Sequence, residues 1–162
     1  MSNQNIKTKK GFTIIEVVLV LAIAGLIFLM VFIALPQLQR AQRDTQRRSD
    51  LARAATAITQ YQTNNGGKVP MAQTNVPTSA TFIASYLGGA DGFTDPDGTP
   101  YEIVFGTQGT TNYSAPTTVD HKVYIFNKAK CSGEEMTSSS NTNDYAIVYK
   151  LEGAGTYCQD NQ

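Results

Sequence analysis

The sequence predicts an α+β protein in which one long N-terminal helix packs on a small antiparallel β-sheet. An apolar run from Phe12 to Leu35 continues into a helix-favouring segment that ends at Asn64, and β-branched or aromatic runs follow in the C-terminal part. The 162 residues leave room beyond this helix for one soluble domain of roughly 100 residues. We therefore expect a leader (1–11), a membrane helix (12–35), its amphipathic continuation (36–64) and a globular head (65–162).

The apolar run is long enough to cross a membrane. As a helix, residues 12–35 would span about 36 Å, and a bilayer core is about 30 Å thick. Lys7, Lys9 and Lys10 precede the run, so the positive-inside tendency keeps the N-terminus in the cytoplasm and exports the rest. The run exceeds the apolar core of a secretory signal, and no small-residue cleavage site follows it.

Glu16 is the unusual residue in this run, because an ionised carboxylate in lipid costs about 2.5 to 3.5 kcal/mol and normally has a partner. No basic residue lies between Phe12 and Leu35, so the partner is a chain terminus, another subunit or water near the headgroups. Cleavage between Gly11 and Phe12 would create an α-amino group one helical turn from Glu16. The alternative is an ordinary single-pass anchor whose Glu16 reaches the membrane interface.

The sequence KKGFTIIE at positions 9–16 resembles the processing signature of the type IV pilin family. The resemblance implies the pilin fold and a membrane prepilin peptidase that cleaves after Gly11 and methylates the new N-terminus of Phe12. It further implies that Glu16 pairs with the amine of a neighbouring subunit when pilus machinery moves subunits from the cytoplasmic membrane into an extracellular filament. No cofactor and no enzymatic activity are expected.

The helix carries two weak points, Gly25 and Pro36. The resemblance implies that the segment between them loses helicity in filaments, and a simple kink at the membrane surface is the alternative. Beyond the membrane, apolar residues recur at helical spacing and predict contact with the head: Leu51, Ala54, Ala55, Ile58 and Tyr61. Asn65, Gly66 and Gly67 predict the helix end.

The head is predicted to contain a short helix, residues 79–87, and three strands, residues 101–105, 122–127 and 144–151. The connecting loops are too short for helical crossovers, which favours antiparallel pairing. The turn at 95–101, Asp-Pro-Asp-Gly-Thr-Pro-Tyr, resembles an element of major pseudopilins and of several pilins, where its role is structural.

Five arginines lie between Arg40 and Arg53, whereas the chain beyond them is acidic. We call residues 40–53 the basic neck. Three uses of it are possible: binding of anionic lipid, a solvated face with a pair such as Arg40 with Asp44, and contacts between stacked subunits. We favour the subunit contacts.

Cys131 and Cys158 lie in the exported part, where an oxidising environment allows a disulfide. The bridge would contribute roughly 3.5 kcal/mol in the chain-entropy model. Two reduced thiols are the alternative, and the wide spacing without nearby histidines disfavours zinc.

The remaining polar residues include candidates for metal binding, catalysis and glycosylation. Four acids suggest calcium, but the EF-hand template fails and we expect no metal: Asp91, Asp95, Asp97 and Glu102. His121, the single histidine, has no neighbours of a catalytic signature. Asn112 and the serines at 138–140 are candidate glycosylation sites.

The expected function is that of a structural pilus subunit, in a filament for adhesion, twitching motility or DNA uptake. A minor pilin and a pseudopilin of a type II-like secretion system are the near alternatives. A monomeric membrane-anchored binding module or enzyme is the alternative from another class, and it predicts no cleavage at Gly11.

Overall fold

The computed structural model describes residues 11–70, 79–89, 92–107, 118–153 and 155–162. The predicted leader lysines, Asp91 and Asn112 lie outside these residues. The chain divides into two compact units, one ending at Leu38 and the other beginning at Gln39.

Helix α1, Ile14–Asn64, contains 51 residues and belongs to both units. It begins two residues after the predicted start because Thr13 caps it, and it continues through both Gly25 and Pro36. The helix ends where predicted: Gly66 and Gly67 have φ angles of 65° and 84°, and the amide of Gly67 donates to the Gln62 carbonyl at 2.7 Å. Glycine takes this left-handed conformation without steric cost, which is why the helix stops here.

The second unit adds a short helix and six strands to the C-terminal half of α1. They are α2 (Ser79–Tyr86), β1 (Glu102–Thr107), β2 (Lys122–Asn127), β3 (Ala129–Ser132), β4 (Glu135–Ser138), β5 (Tyr145–Lys150) and β6 (Thr156–Asp160). The main sheet has the order β1-β2-β5-β6, and β3 and β4 form a separate antiparallel hairpin. This is the α+β layout that the sequence predicts, and it is consistent with a pilin fold.

The expectation of antiparallel pairing throughout is wrong for one pair of strands. β1 and β2 are parallel, with Glu102 opposite Lys122 and Thr107 opposite Asn127. The connection between them, residues 108–121, exceeds the dozen or so residues that a parallel crossover needs, so the chain does return to the same end of the sheet. The β2–β5 and β5–β6 pairs are antiparallel.

Three strands escape sequence-based prediction. β3 and β4 are polar four-residue segments without a run of β-branched or aromatic residues, and β6 is half-buried along its whole length. Ser138, one of the candidate glycosylation sites, is the last residue of β4.

The main sheet of the second unit is covered on both faces. On one face, α1 and α2 enclose the larger core, to which the sheet contributes Ile103, Val123, Ile125, Ile147 and Tyr149. The opposite face carries a smaller cluster that packs against the β3–β4 hairpin and includes Phe126, Ala129 and Ala146. Because neighbouring residues of a strand point to opposite faces, α1 and the hairpin lie on opposite sides of the sheet.

Candidate functional site

The N-terminus of α1 carries a reciprocal cap between Thr13 and Glu16. The backbone amide and the hydroxyl of Thr13 donate to Oε2 of Glu16 at 2.9 and 2.8 Å, and the Glu16 amide donates to Oγ1 of Thr13 at 3.4 Å. This is the capping box of a Thr-x-x-Glu sequence, which satisfies two amides that the helix itself leaves free.

The cap identifies a first partner for Glu16 that the sequence analysis missed, although Thr13-Ile-Ile-Glu16 is a recognised capping signature. Carboxylate oxygen Oε2 is used by Thr13, whereas Oε1 accepts no hydrogen bond from the residues that the structure describes. The Thr13 amide belongs to the Phe12–Thr13 peptide bond, so cleavage after Gly11 would leave the cap intact. Glu16 can therefore cap its own helix and still offer one oxygen to a cation.

Residues 11–38 present an apolar surface with almost nothing packed on it. Phe12 is 88% exposed, Ile14 is 85% exposed, and the large hydrophobic side chains that follow as far as Leu38 are exposed as well. This part of α1 is long and apolar enough to cross a membrane, a property that a signal sequence near an N-terminus shares. A side chain at Gly25 would meet no atom within 4 Å, so packing in the single chain does not explain this glycine.

The basic neck is joined to the head through Arg47, which is fully buried. Its Nε and Nη2 donate to the two carboxylate oxygens of Asp95 at 2.6 and 2.8 Å, and further donations reach Asp44 and Glu152 at 3.0 Å each. The Tyr149 hydroxyl donates to Oδ2 of Asp95 at 2.9 Å. The planar guanidinium of Arg47 suits this bidentate pairing with Asp95. The hydrogen bonds to Asp95 are the main cause of the raised pKa of Arg47.

Two neighbouring pairs extend this buried cluster. Arg43 forms a bidentate pair with Glu152, whose pKa is lowered chiefly by the Arg43 hydrogen bonds. The carboxylate of Asp44 accepts the backbone amides of Glu152 and Gly153 at 3.0 and 2.8 Å. The loop between β5 and β6 is thereby fixed to α1.

This geometry changes the interpretation of the neck. Asp44 pairs with Arg47 rather than with Arg40 as the sequence suggested, and Arg47 is in the interior of the head rather than on a solvated face. Arg47 lies about one helical turn before Leu51, the first residue of the apolar stripe. Its burial has no local signal in the sequence, because its partner Asp95 is distant along the chain. Arg40 and Arg48 remain exposed.

The turn at 95–101 supplies Asp95 and has a structural role here. Asp95 accepts the Asp97 amide, and Gly98, with φ of 94°, closes the turn. The pKa of Asp97 falls to about 2, chiefly because its carboxylate accepts the Thr99 amide, and His121 lies 2.6 Å away.

Asp95, Asp97 and His121 bring possible metal-ligand atoms within 4.8 Å of one another. Both oxygens of Asp95 are already bonded by Arg47, however, so a cation would compete with a buried guanidinium for them.

The structure joins Cys131 and Cys158 by a disulfide with a Cα–Cα distance of 5.8 Å. The bridge links β3 to β6, so it holds the β3–β4 hairpin against the edge strand of the main sheet.

A basic leader sequence, a long apolar helix and an α+β head occur together in this chain, an arrangement similar to that of type IV pilins and pseudopilins. In agreement with this, residues 6–32 match the prokaryotic N-terminal methylation motif, the class III leader of type IV pilins. This motif implies processing by a prepilin peptidase and insertion in a membrane before assembly. No curated protein and no solved structure was found to match the chain.

Proposed function

We propose that the chain is the structural subunit of a type IV pilus, cleaved between Gly11 and Phe12 and methylated at the new N-terminus of Phe12. The observation that carries this proposal is the methylation motif at residues 6–32, followed by an apolar helix whose large side chains are exposed in the part of the chain that the structure describes. Lipid covers this surface before assembly, and helices of other copies cover it in the filament.

The apolar side chains supply the driving force for keeping subunits together. Burial of a large aliphatic or aromatic side chain contributes about 1.5 to 3 kcal/mol relative to exposure in water, so a subunit outside the membrane is strongly favoured to stay in the polymer. This force is not directional and does not fix the register between helices.

Glu16 supplies the register. Its Oε1 is available after the cap with Thr13 is formed, and the methylated amine of Phe12 in a neighbouring copy is a cation that can reach it. An ion pair in an apolar filament core tolerates little displacement, because an unpaired buried charge is costly.

A pseudopilin of a type II-like secretion system is the second candidate. It shares the leader and the long helix with a pilin, and the turn at 95–101 resembles an element of major pseudopilins and of several pilins. The disulfide between Cys131 and Cys158 favours the pilin, because pseudopilins that bind calcium generally lack it.

The test is intact mass spectrometry of filaments sheared from the surface of the native host. An abundant chain that begins at methylated Phe12 and lacks the two thiol hydrogens of Cys131 and Cys158 is the expected result. Processed protein confined to the membrane fraction would favour a pseudopilin or a minor pilin. An intact chain with residues 1–11 still attached in that fraction would refute the proposal.

Gly11→Val is the matched control for processing, since it changes only the residue before the cleaved bond. We expect the variant to accumulate in the membrane with residues 1–11 attached and to form no filaments.

A further inference from the structure

The exposed side of α1 in the second unit is basic and lacks carboxylates. Between Gln39 and Asn64, both acids, Asp44 and Asp50, are buried against the head. Arg53 is held by Asp50 and by the Gly92 carbonyl. Arg40 and Arg48 are the remaining exposed cations, and we call these two residues the basic helix face.

The basic helix face is not neutralised within the described part of the chain. Arg48 lies over the ring of Tyr157 at 5.5 Å, which positions its side chain without compensating its charge. Asp44, midway between the two arginines, already bonds Arg47 and two backbone amides. Arg40 and Arg48 form no ion pair with a described residue.

A complementary surface lies at the turn of the β3–β4 hairpin, beside the edge strand β6 of the main sheet. Glu134 and Glu135 stand where the β3–β4 hairpin turns, both are exposed, and neither forms an ion pair with a described residue. We call this pair the acidic hairpin tip. The disulfide from Cys131 and a hydrogen bond from the Thr156 amide to Glu134 at 3.3 Å hold it in place.

We propose that in the filament the basic helix face of one copy binds the acidic hairpin tip of a neighbouring copy. An open helical polymer repeats a contact between two different patches of the same chain, and these two patches are of that kind. The partner is a second copy, because it carries the complementary charge and is already brought close by the apolar helices. The inference rests on the proposed function.

Charge reversal with rescue tests the contact in the native host. Arg40→Glu with Arg48→Glu places like charges together, as does Glu134→Lys with Glu135→Lys, and each double variant should lower the yield of sheared filaments about tenfold. The variant with all four substitutions restores opposite charges and should return the yield to within about twofold of the wild type. Lys68→Glu with Lys128→Glu is the control for net charge, and its yield should be normal.

Several outcomes would overturn the contact while leaving the filament itself established. These are normal filament yield from either double variant, an equal loss in the control, or no rescue by a four-residue variant that is processed and folded. Loss of membrane retention by the arginine variant alone would show that the basic helix face binds anionic lipid instead.

A second measurement does not depend on charge reversal. Arg48→Lys keeps the charge and introduces an amine, which a carbodiimide can join to a carboxylate as an amide. In filaments mixed from light and heavy isotope-labelled subunits, we expect mass spectrometry to find position 48 joined to Glu134 or Glu135 of the other isotope. Products joining only one isotope would contradict the proposal.

Discussion

Single substitutions can separate the helix cap that Glu16 forms from the ion pair that we propose for it. Its Oε2 caps the helix through Thr13, and its charge is available to a neighbouring amine. Glutamine also serves at the third position of a capping box, so Glu16→Gln keeps the cap and removes only the charge.

We therefore expect Glu16→Gln to insert in the membrane and to be processed normally, yet to give few filaments, and we expect the same of Glu16→Ala. Thr13→Ala is the matched control: it loses the cap, costs about 1 kcal/mol at the helix end and leaves filament yield near normal. Sheared filaments and the membrane fraction are quantified for each variant. Normal yield from Glu16→Gln would assign the role of Glu16 to the cap alone.

Arg47 is the residue whose loss should damage the head most. Arg47→Met leaves Asp95 buried and bonded only by the Tyr149 hydroxyl and local amides, and breaking a buried pair in this way costs about 3 to 5 kcal/mol. The measurement is urea unfolding in detergent, followed by the near-ultraviolet circular dichroism of the tyrosines. The exposed Arg48→Met serves as control and should change the free energy of unfolding by about 0.5 kcal/mol or less.

Removing the charge of Asp50 and removing the charge of Glu152 should change the free energy of unfolding at neutral pH in opposite directions. Burial raises the pKa of Asp50 above its ordinary 3.8, so its ionised form destabilises the folded state. That cost is absent below about pH 3.8 and grows as pH rises through the folded pKa. Asp50→Asn should therefore stabilise the protein at pH 7 and have little effect below pH 3.8.

The pKa of Glu152 is lowered, so this carboxylate contributes stability above its ordinary pKa of 4.5 that is lost as pH falls through the folded value. Glu152→Gln should be destabilising at pH 7 and nearly neutral in acid. The free energy of unfolding from pH 3 to pH 7 decides both cases, and the same sign for both variants would contradict the assignment.

At the scale of elements, the parts with a local signal could be predicted and the parts that depend on distant partners could not. The apolar stripe of α1 and the glycines at 66 and 67 determine the helix and its end. The direction of β1 relative to β2 depends on the path of residues 108–121, which periodicity does not reveal. β3, β4 and β6 carry a weak strand signal of their own, and their placement depends on partners elsewhere in the chain: the Cys131–Cys158 bridge links β3 to β6, and β6 pairs with β5.

The residues of the candidate site likewise divide into those with a local signal in the sequence and those whose partners are distant along the chain. The motif KKGFTIIE could be recognised because its residues are contiguous, whereas the Arg47–Asp95 pair joins residues 48 positions apart. The Thr13 cap, by contrast, could have been predicted, because Thr13-Ile-Ile-Glu16 places a glutamate at the third helical position after a threonine.

The β3–β4 hairpin is the element that should depend most on the disulfide. Reduction, or Cys131→Ser with Cys158→Ser, should lower the free energy of unfolding by roughly 3.5 kcal/mol in the chain-entropy model. We expect hydrogen exchange to increase first in residues 129–138, while residues 51–61 of α1 keep their protection because their core lies on the other face of the sheet. Equal loss of protection in both segments would show that the disulfide supports the whole head.

At the scale of the whole molecule, the two units differ in how their apolar side chains are covered. The second unit holds its own core, in which residues 51–61 of α1 pack on the sheet and Arg47 is fully paired. The first unit has an exposed apolar surface, which in the proposed function is covered by lipid or by other copies. The separation predicts that the head folds without residues 11–38.

A fragment of residues 39–162, exported so that Cys131 and Cys158 can oxidise, should therefore be a soluble, folded monomer that forms no filaments. Light scattering gives its mass, and near-ultraviolet circular dichroism reports whether the tyrosines are ordered. Introducing Arg47→Met into the fragment should cost the same free energy of unfolding as in the full chain, because every partner of Arg47 lies within residues 39–162. An unfolded fragment would show that residues 11–38 belong to the folding core, and self-association of the fragment would place a driving force for assembly in the head.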